Sequence, residues 1–303
     1  MDIFATIFSG SILLLTLRLA VPIILASVGE TFCERSGVMN LGIEGMMLMG
    51  AISGVIGSHV TGSPWLGMLL ALLVGGMLGF LYAVICVKFK ADQVVSGIGI
   101  NMLASGLTIV MVHVIWKRDG MSDTVAQIEN ITVPVLKDIP FIGGLFSNQS
   151  PFIYITLILV LAGWYIMYKT KLGLRLRAIG DHPQAAETVG INVVQYRYVC
   201  VTICGLLSGM AGAYLSIVQN NLFVQEMVAG RGFMAIAANI FGGWNPLGSM
   251  VASLIFAFAQ ALRLNLSELN IPDQFIQMIP YVLTLIVLVV VAKKAKGPEA
   301  LGK

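Results

Sequence analysis

Long apolar runs separated by short polar stretches dominate this chain. A run of about 17–25 apolar residues is long enough to cross a bilayer as a helix. Nine runs approach or reach that length, and they cover residues 3–28, 38–60, 64–87, 93–116, 151–168, 197–219, 228–242, 244–265 and 273–292. The pattern therefore predicts an all-α, polytopic membrane bundle of about nine helices, with eight to ten allowed by the irregular runs.

Two of the runs are irregular. The first contains Arg18 and Pro22, so it could form one helix or two pieces. The seventh, 228–242, is short for a full crossing, and a re-entrant or broken helix is an open alternative there.

The composition supports a membrane location. Apolar residues make up 57% of the chain, charged residues 11%, and the mean hydropathy is +0.90. Soluble domains carry roughly 25% charged residues, so this chain has too little polar surface to cover a water-soluble core. The net charge of +3 is too small to indicate a nucleic-acid partner. We expect a single transmembrane domain over residues 1–303 in contact with lipid.

The basic residues predict the orientation, because cytoplasmic loops are enriched in Lys and Arg. The most basic polar stretch is 169–197, and the tail from Lys293 is also basic. Assigning both to the cytoplasm gives twelve Lys and Arg on that side, against five outside, which are Lys117, Arg118, Lys137, Arg231 and Arg263. The carboxyl end is then cytoplasmic, the amino end is external, and 117–150 is an external loop.

Loop 169–197 contains a predicted short helix that starts at Pro183 and stops at Gly190. Proline suits the first helical position, and glycine suits the position after the last turn. A short, structured, basic loop on the cytoplasmic side is suited to docking a soluble partner.

Several polar residues fall inside or beside the apolar runs. Glu44, Asn40, Asn101 and Asn239 are the main candidates for a polar lining of a solute path. A charge at the bilayer centre costs roughly 2.5–3.5 kcal/mol on insertion scales. Hydrogen bonding between helices is the alternative role for all of them. For Arg18 and Glu30 we expect a structural role, either as a pair or at the interface.

The chain lacks the motifs of an enzyme. It contains no Gly-x4-Gly-Lys-Ser/Thr phosphate loop, no His/Glu pair at zinc spacing and no Gly-x-Ser-x-Gly elbow. The one or two carboxylates expected within the membrane are few for an ion-coupled pump. Any energy source is therefore expected on another chain.

Small residues recur at four-residue spacing, as in Gly50/Gly54/Ser58, Gly75/Gly79 and Gly205/Gly209. This spacing lets helix backbones approach closely in lipid. It predicts a densely packed bundle.

Three stretches resemble a known family. Residues 173–191, GLRLRAIGDHPQAAETVGI, resemble the coupling segment of ABC-importer permeases of the branched-chain amino acid, ribose and simple-sugar class. Residues 34–51, ERSGVMNLGIEGMMLMGA, resemble the second-span signature of the nucleoside-uptake branch. Residues 230–248 are similar to the late glycine-rich segment of the class.

The resemblance implies a permease subunit in a bacterial inner membrane, without a cofactor of its own. Its expected partners are a second permease chain, a cytoplasmic ABC ATPase that holds ATP and Mg²⁺, and an external substrate-binding lipoprotein. A heterodimer of two different permeases is expected rather than a homodimer. The residues implied in ATPase coupling are Arg175, Arg177, Gly180, Asp181, Pro183, Ala185, Ala186, Glu187 and Gly190.

In this interpretation, the small side chains of Ala185 and Ala186 allow the ATPase to approach closely. The implied solute is a nucleoside, and a ribose-like sugar is the alternative. A self-sufficient secondary carrier and a membrane enzyme or scaffold are the hypotheses from other classes. His182 departs from the acidic-Asn or acidic-Ser pair of many relatives, which leaves its role open.

Overall fold

The computed structural model of this protein describes residues 10–131, 149–266 and 297–302. These ranges contain ten α-helices and no β-strand, so the expected all-α class is confirmed. The helices are α1 Gly10–Arg35, α2 Ile43–Thr61, α3 Pro64–Ala83, α4 Gln93–Trp116, α5 Pro151–Lys169, α6 Lys171–Asp181, α7 Pro183–Thr188, α8 Val193–Ala213, α9 Arg231–Phe241 and α10 Pro246–Leu266. Short π-helical segments, Val84–Lys88 and Tyr214–Gln219, extend α3 and α8.

Seven of the helices are long and apolar enough to cross a membrane, namely α1 to α5, α8 and α10. They correspond to seven of the nine predicted runs. The ninth run, 273–292, lies outside the described residues, as do residues 3–9 of the first.

The first run forms one continuous helix rather than two pieces. Pro22 lies inside α1, and the helix continues to Arg35, beyond the predicted end at residue 28. The predicted end of the run was too early because the polarity of Glu30 and Glu34 suggested the end of a membrane span. Both are fully buried, and their carboxyl groups are hydrogen-bonded within the bundle.

The bundle has two ends, which we name after the segments found there. The α7 end carries α6, α7 and residues 297–302; the amide of Ala300 donates to the carbonyl of Gly180 at 2.9 Å. The opposite end carries residues 117–131, where the carbonyl of Ala126 accepts a hydrogen bond from Ser58 at 3.2 Å.

The seventh run is a broken crossing, as one of the alternatives predicted. Residues 220–241, which we call the interrupted crossing, consist of an irregular stretch followed by the eleven-residue helix α9. The amide of Phe223 bonds Ser122 at the opposite end, whereas Trp244, just after α9, bonds Arg35 at the α7 end. The chain therefore passes from one end to the other without a full-length helix.

This path corrects the expected position of Arg231. The sequence pattern assigned it to the external side, but the amides on both sides of it bond Glu44 in the first turn of α2. Arg231 is therefore inside the bundle, where its guanidinium donates to the carbonyls of Met227 and Val228 at 3.1 and 3.0 Å.

Candidate functional site

The predicted short helix of the coupling loop is present as α7. Pro183 is its first residue, Thr188 is its last, and Gly190 follows with φ of +80°. A glycine adopts this left-handed conformation without steric cost. The longer helix α6 precedes α7, and Thr170 caps it by accepting a hydrogen bond from the amide of Gly173 at 3.3 Å.

The two alanines of α7 face different ways. Ala186 is only 3% exposed and packs in a small apolar cluster with Ile179 and Val193. Ala185 is exposed, and so is Glu187. The side chain of Ala186 therefore packs α7 against α6 and α8 and is not exposed to a partner, and a role of either alanine in close approach of the ATPase stays a prediction.

The other residues that the sequence predicts for ATPase coupling lie around this helix. Arg175 is exposed and contacts the hydroxyl of Tyr196 at 3.4 Å, while the guanidinium of Arg177 lies 5.1 Å from the centre of the Tyr168 ring. Gly180 is buried, and a Cβ atom there would collide with the carbonyl of Arg35. This close approach explains why a glycine occupies the position.

A groove of about 840 Å³ opens beside α7. Its walls are α7, the loop 90–93, the start of α8 and residues 299–302. Charged side chains of both signs line it, namely Lys90, Asp92, Asp181, Glu187, Arg197 and Glu299. His182 also lines the groove, with its Nδ1 atom 3.8 Å from the carboxylate of Glu299. The mixture of charges suits a protein partner with complementary charges.

A hydrogen-bond network joins α1, α9 and α10 inside the bundle. The amide of Asn239 donates to Glu34 at 2.9 Å, and the indole N–H of Trp244 donates to the same carboxylate oxygen. The carbonyl oxygen of Asn239 accepts from Thr31 at 2.7 Å and from Ser249 at 3.3 Å. Asn239 has no exposed surface, so in this conformation it holds helices together.

Asn40 belongs to a second buried cluster, with Glu30 and Cys204. The backbone amide of Asn40 donates to Glu30 at 3.0 Å, and its side-chain amide lies 3.4 Å from the sulfur of Cys204. The thiol of Cys204 donates to the other oxygen of Glu30 at 3.3 Å. Glu30 is thus bonded within this cluster and not to Arg18, which donates to Gln149 at 3.1 Å. Of the two alternatives for these residues, the direct Arg18–Glu30 pair is therefore not formed, whereas both side chains bond within the bundle.

One group among the described residues has the donor types of a metal site. The ligand atoms of Glu30, Cys33 and Cys204 lie within 4.8 Å of one another, and all three residues are buried. Two of the three groups, those of Glu30 and Cys204, already form hydrogen bonds with each other and with Asn40.

Glu44 connects α2 to the interrupted crossing. Its two carboxylate oxygens accept hydrogen bonds from the amides of Gly230 and Gly232, each at 2.7 Å. These amides belong to the first turn of α9, where helix geometry leaves N–H groups unpaired and favours a negative charge. Glu44 thereby satisfies a helix end that would otherwise lie unpaired inside the bundle.

Asn101 holds α4 against the start of α2. Its side chain donates to the carbonyl of Leu41 and accepts from the amide of Gly45, both at 2.8 Å. Asn101 and Glu44 are partly exposed, whereas Asn40 and Asn239 are fully buried. All four bond within the chain, and a role of any of them in lining a solute path stays a prediction.

The sequence pattern missed a polar pair on the exposed side of the interrupted crossing. Ser105 of α4 donates to the carboxylate of Glu226 at 2.5 Å. Residues 220–227 appeared to be a short loop between two spans, and hydrophobic periodicity carries no information about depth in the membrane. The polar residues Asn220, Asn221, Gln225 and Glu226 before a short apolar run were the available signal.

Comparison with known proteins agrees with this architecture. The family described as "Branched-chain amino acid transport system / permease component" matches residues 12–292. The nucleoside ABC transporter permease protein NupC of Lactococcus lactis is 38% identical over 292 residues, which are 93% of this chain and 92% of NupC. The guanosine ABC transporter permease protein NupQ of Bacillus subtilis is 39% identical over 302 residues, 95% of this chain and 93% of NupQ.

A more distant relative bears a different substrate name. The putative glucose ABC transporter permease protein TsgC13 of Haloferax volcanii is 34% identical over 268 residues, 87% of this chain and 80% of TsgC13. With seven membrane-crossing helices and a family match over most of its length, this chain belongs to the branched-chain amino acid type of ABC-transporter permease components.

Proposed function

We propose that this chain is the permease subunit of an ATP-driven importer of nucleosides. The observation that carries the proposal is the 38–39% identity, over more than nine-tenths of the chain, to permeases named for nucleosides and for guanosine. A nucleoside is neutral and amphipathic, so a path with polar groups and little fixed charge suits it.

Coupling to a separate ATPase is part of the proposal. The partner's docking surface is the exposed side of α7, where Ala185, Glu187 and the 74% exposed Val189 lie beside the groove. α6 leads directly from α5, and α7 leads into α8, so a push on α7 tilts two membrane helices. ATP and Mg²⁺ bind on that partner, and the coupling changes the balance between two states of the bundle.

Docking of an ATPase on α7 puts the α7 end of the bundle in the cytoplasm. Residues 297–302 contact Gly180 and Gly37 at the α7 end, which supports a cytoplasmic carboxyl end. An external binding lipoprotein then delivers the solute to the opposite end.

A second permease chain completes the transporter. α4 is the least buried of the seven long helices, and its exposed residues include Met102, Leu103 and Val110. A related but different permease covers this side, and the solute path runs between the two chains. Glu44 and Asn101 lie nearest to that path, with Asn40 and Asn239 behind them.

A simple sugar, such as ribose or glucose, is the second candidate solute. The 34% identity to a permease named for glucose favours it, but less strongly than the two nucleoside relatives favour a nucleoside. A self-sufficient carrier lacks support, because the family consists of subunits of ABC systems.

The test is a tagged purification from native membranes, followed by reconstitution of the recovered complex into liposomes. We expect an ATPase and a second permease to copurify, and uptake of radiolabelled nucleoside to require ATP and the binding protein. A variant ATPase that binds but does not hydrolyse ATP is the control. Uptake of ribose or glucose but not nucleoside would overturn the substrate, and uptake driven by an ion gradient without ATP would overturn the class.

A further inference from the structure

The Glu226 side chain lies beside the middle of α4, although the amide of the preceding Gln225 donates to the carbonyl of Gly120 at the opposite end. The Glu226 carboxylate accepts a hydrogen bond of 2.5 Å from Ser105, which is close to the middle of the membrane-crossing helix Gln93–Trp116. The side chain is nevertheless exposed. Among the residues that the structure describes, the other exposed acids lie at the two ends, as Asp92, Asp119, Asp123, Glu129, Asp181, Glu187 and Glu299.

An exposed carboxylate at this depth is not compatible with a lipid contact. Acidic side chains within membrane segments are costly, and they face the interior of a bundle or a water-filled cavity. The exposed side of Glu226 therefore faces water in the assembled transporter.

The backbone around Glu226 is unusual as well. Asn221, Glu226 and Ala229 have φ of +51°, +55° and +49°, a left-handed conformation that costs energy for residues other than glycine. Clusters of such residues are typical of ligand sites. Irregular backbone at membrane depth is tolerated where it lines a cavity, and interrupted helices commonly build the binding sites of transporters.

Neighbouring groups leave the Glu226 carboxylate available to a solute. Glu44 already occupies the amides of Gly230 and Gly232, and the guanidinium of Arg231 is bound to the carbonyls of Met227 and Val228. Within the ranges that the structure describes, the Glu226 carboxylate is bonded to one hydroxyl, that of Ser105, through Oε1. A carboxylate has about four acceptor positions on its two oxygens, so it retains the capacity to accept two hydroxyl groups of a solute.

We propose that Glu226, together with Ser105, binds the adjacent 2′- and 3′-hydroxyl groups of a ribose during its passage through the membrane. A carboxylate is well suited to this, since acidic side chains accept hydrogen bonds from ribose hydroxyls at cofactor sites. Ser105 both donates and accepts, so it can exchange its bond to Glu226 for one to the solute. The inference rests on the proposed function and adds the part of the solute that is recognised.

The first experiment compares uptake of a nucleoside and of its 2′,3′-dideoxy analogue by the complete reconstituted transporter. Glu226→Gln keeps the shape of the side chain but weakens acceptance from hydroxyls. We expect it to lower nucleoside uptake about tenfold or more at subsaturating concentration, with dideoxy uptake unchanged. Met77→Leu, at an exposed position of α3 to which no partner is assigned, is the control and should leave both unchanged. Every variant is assayed with the same binding protein, so the preference of that protein between the two solutes affects all variants equally.

Two results would overturn the proposal. Unchanged nucleoside uptake in Glu226→Gln would show that the carboxylate does not contact the solute, and an equal loss for both solutes would show a purely structural role. The proposed function fails separately, if the unaltered transporter moves no nucleoside. Free ribose carries the same pair of hydroxyl groups. If the transporter moves ribose instead of a nucleoside, the comparison is made between ribose and 2-deoxyribose. If neither kind of solute is transported, both proposals fall.

A second measurement needs no transport. The four native cysteines are buried, so a new cysteine can be followed with a charged, membrane-impermeant thiol reagent. We expect Glu226→Cys in the assembled transporter to react. Met77 is 71% exposed and lies at a similar depth on α3, and Met77→Cys should not react. A Glu226→Cys variant that stays unreactive both with and without ATP would show that no water reaches this position.

Discussion

Gly75 of α3 and Gly205 of α8 face each other so closely that the carbonyl oxygen of each occupies the space that a Cβ atom of the other would need. The contact continues along the helices, since a Cβ at Gly79 would lie 2.9 Å from the Cα of Gly205. Close backbone contact between small residues is the main source of helix association in lipid. The prediction from the four-residue spacing of glycines is thus confirmed for this helix pair.

Gly205→Val is therefore expected to force α3 and α8 apart. Overpacking of a dense core costs about 1–3 kcal/mol, and here the collision is with backbone atoms, which cannot move aside as a side chain can. The midpoint of thermal unfolding in detergent should fall clearly. Gly99→Val is the control, because a Cβ at Gly99 meets no atom within 4 Å. Equal stability of the two variants would contradict the close contact.

Glu44→Gln tests the bond between α2 and the interrupted crossing. Glutamine has one acceptor oxygen, so one of the amides of Gly230 and Gly232 must then face an NH2 group. A buried donor without a partner costs about 1–3 kcal/mol. We expect lower thermal stability and faster proteolysis near 220–230, both measured in detergent, while Glu129→Gln should behave like the unaltered protein. Stability that does not change would mean that Glu44 is not needed at this helix end.

Trp244→Phe removes the indole N–H that donates to Glu34 and replaces the indole with a smaller aromatic ring. The Glu34 carboxylate is fully buried, so the loss of a donor leaves it less well satisfied. Thermal unfolding should shift to lower temperature by an amount that corresponds to about 1–3 kcal/mol. The same change at Trp65, which is 51% exposed, should have little effect. A larger effect at Trp65 would argue against the network.

The two alanines of α7 give opposite predictions. Ala185→Trp adds bulk on the exposed side, so the protein should fold normally but lose ATP-dependent uptake through poor contact with the ATPase. Ala186→Trp adds bulk between α6 and α8, so it should lower the thermal stability of the chain even in the absence of the ATPase. Copurified ATPase, ATP hydrolysis and unfolding temperature separate the two effects. Normal uptake in Ala185→Trp would rule out docking on that side.

Gly190→Pro is expected to disturb the end of α7. Proline fixes φ near −65°, whereas Gly190 has φ of +80°. The variant should insert into the membrane and hydrolyse ATP without matching uptake. Thr188→Ala, in the last turn of the same helix, is a milder control, and equal coupling in the two variants would show that the turn is not important.

Much of the fold follows from the sequence, because length and hydropathy alone define a membrane helix. The seven long helices were predictable in this way, and the short helix α7 was predictable from the positional preferences of Pro183 and Gly190. The roles of Asn40 and Asn239 were not, since an amide that lines a path and an amide that joins two helices look alike along the chain. Their bonding partners are on other helices, far away in sequence.

The position of Glu226 could not be predicted for a related reason. A polar stretch between two apolar runs is normally a loop in water. Here it descends beside α4, because Glu44 satisfies the start of α9 deep inside the bundle. The bond that makes this possible joins residues 186 positions apart.

The hydrogen bonds of Glu34 join α1 to residues that are synthesised much later. α1 leaves the ribosome before the other described helices, yet the donors that satisfy its buried carboxylate, Asn239 and Trp244, follow 205 and 210 residues later. A chain truncated before Asn239 leaves this carboxylate without either donor. The carboxylate of the first described helix therefore reaches its final environment only after residue 244 has been synthesised.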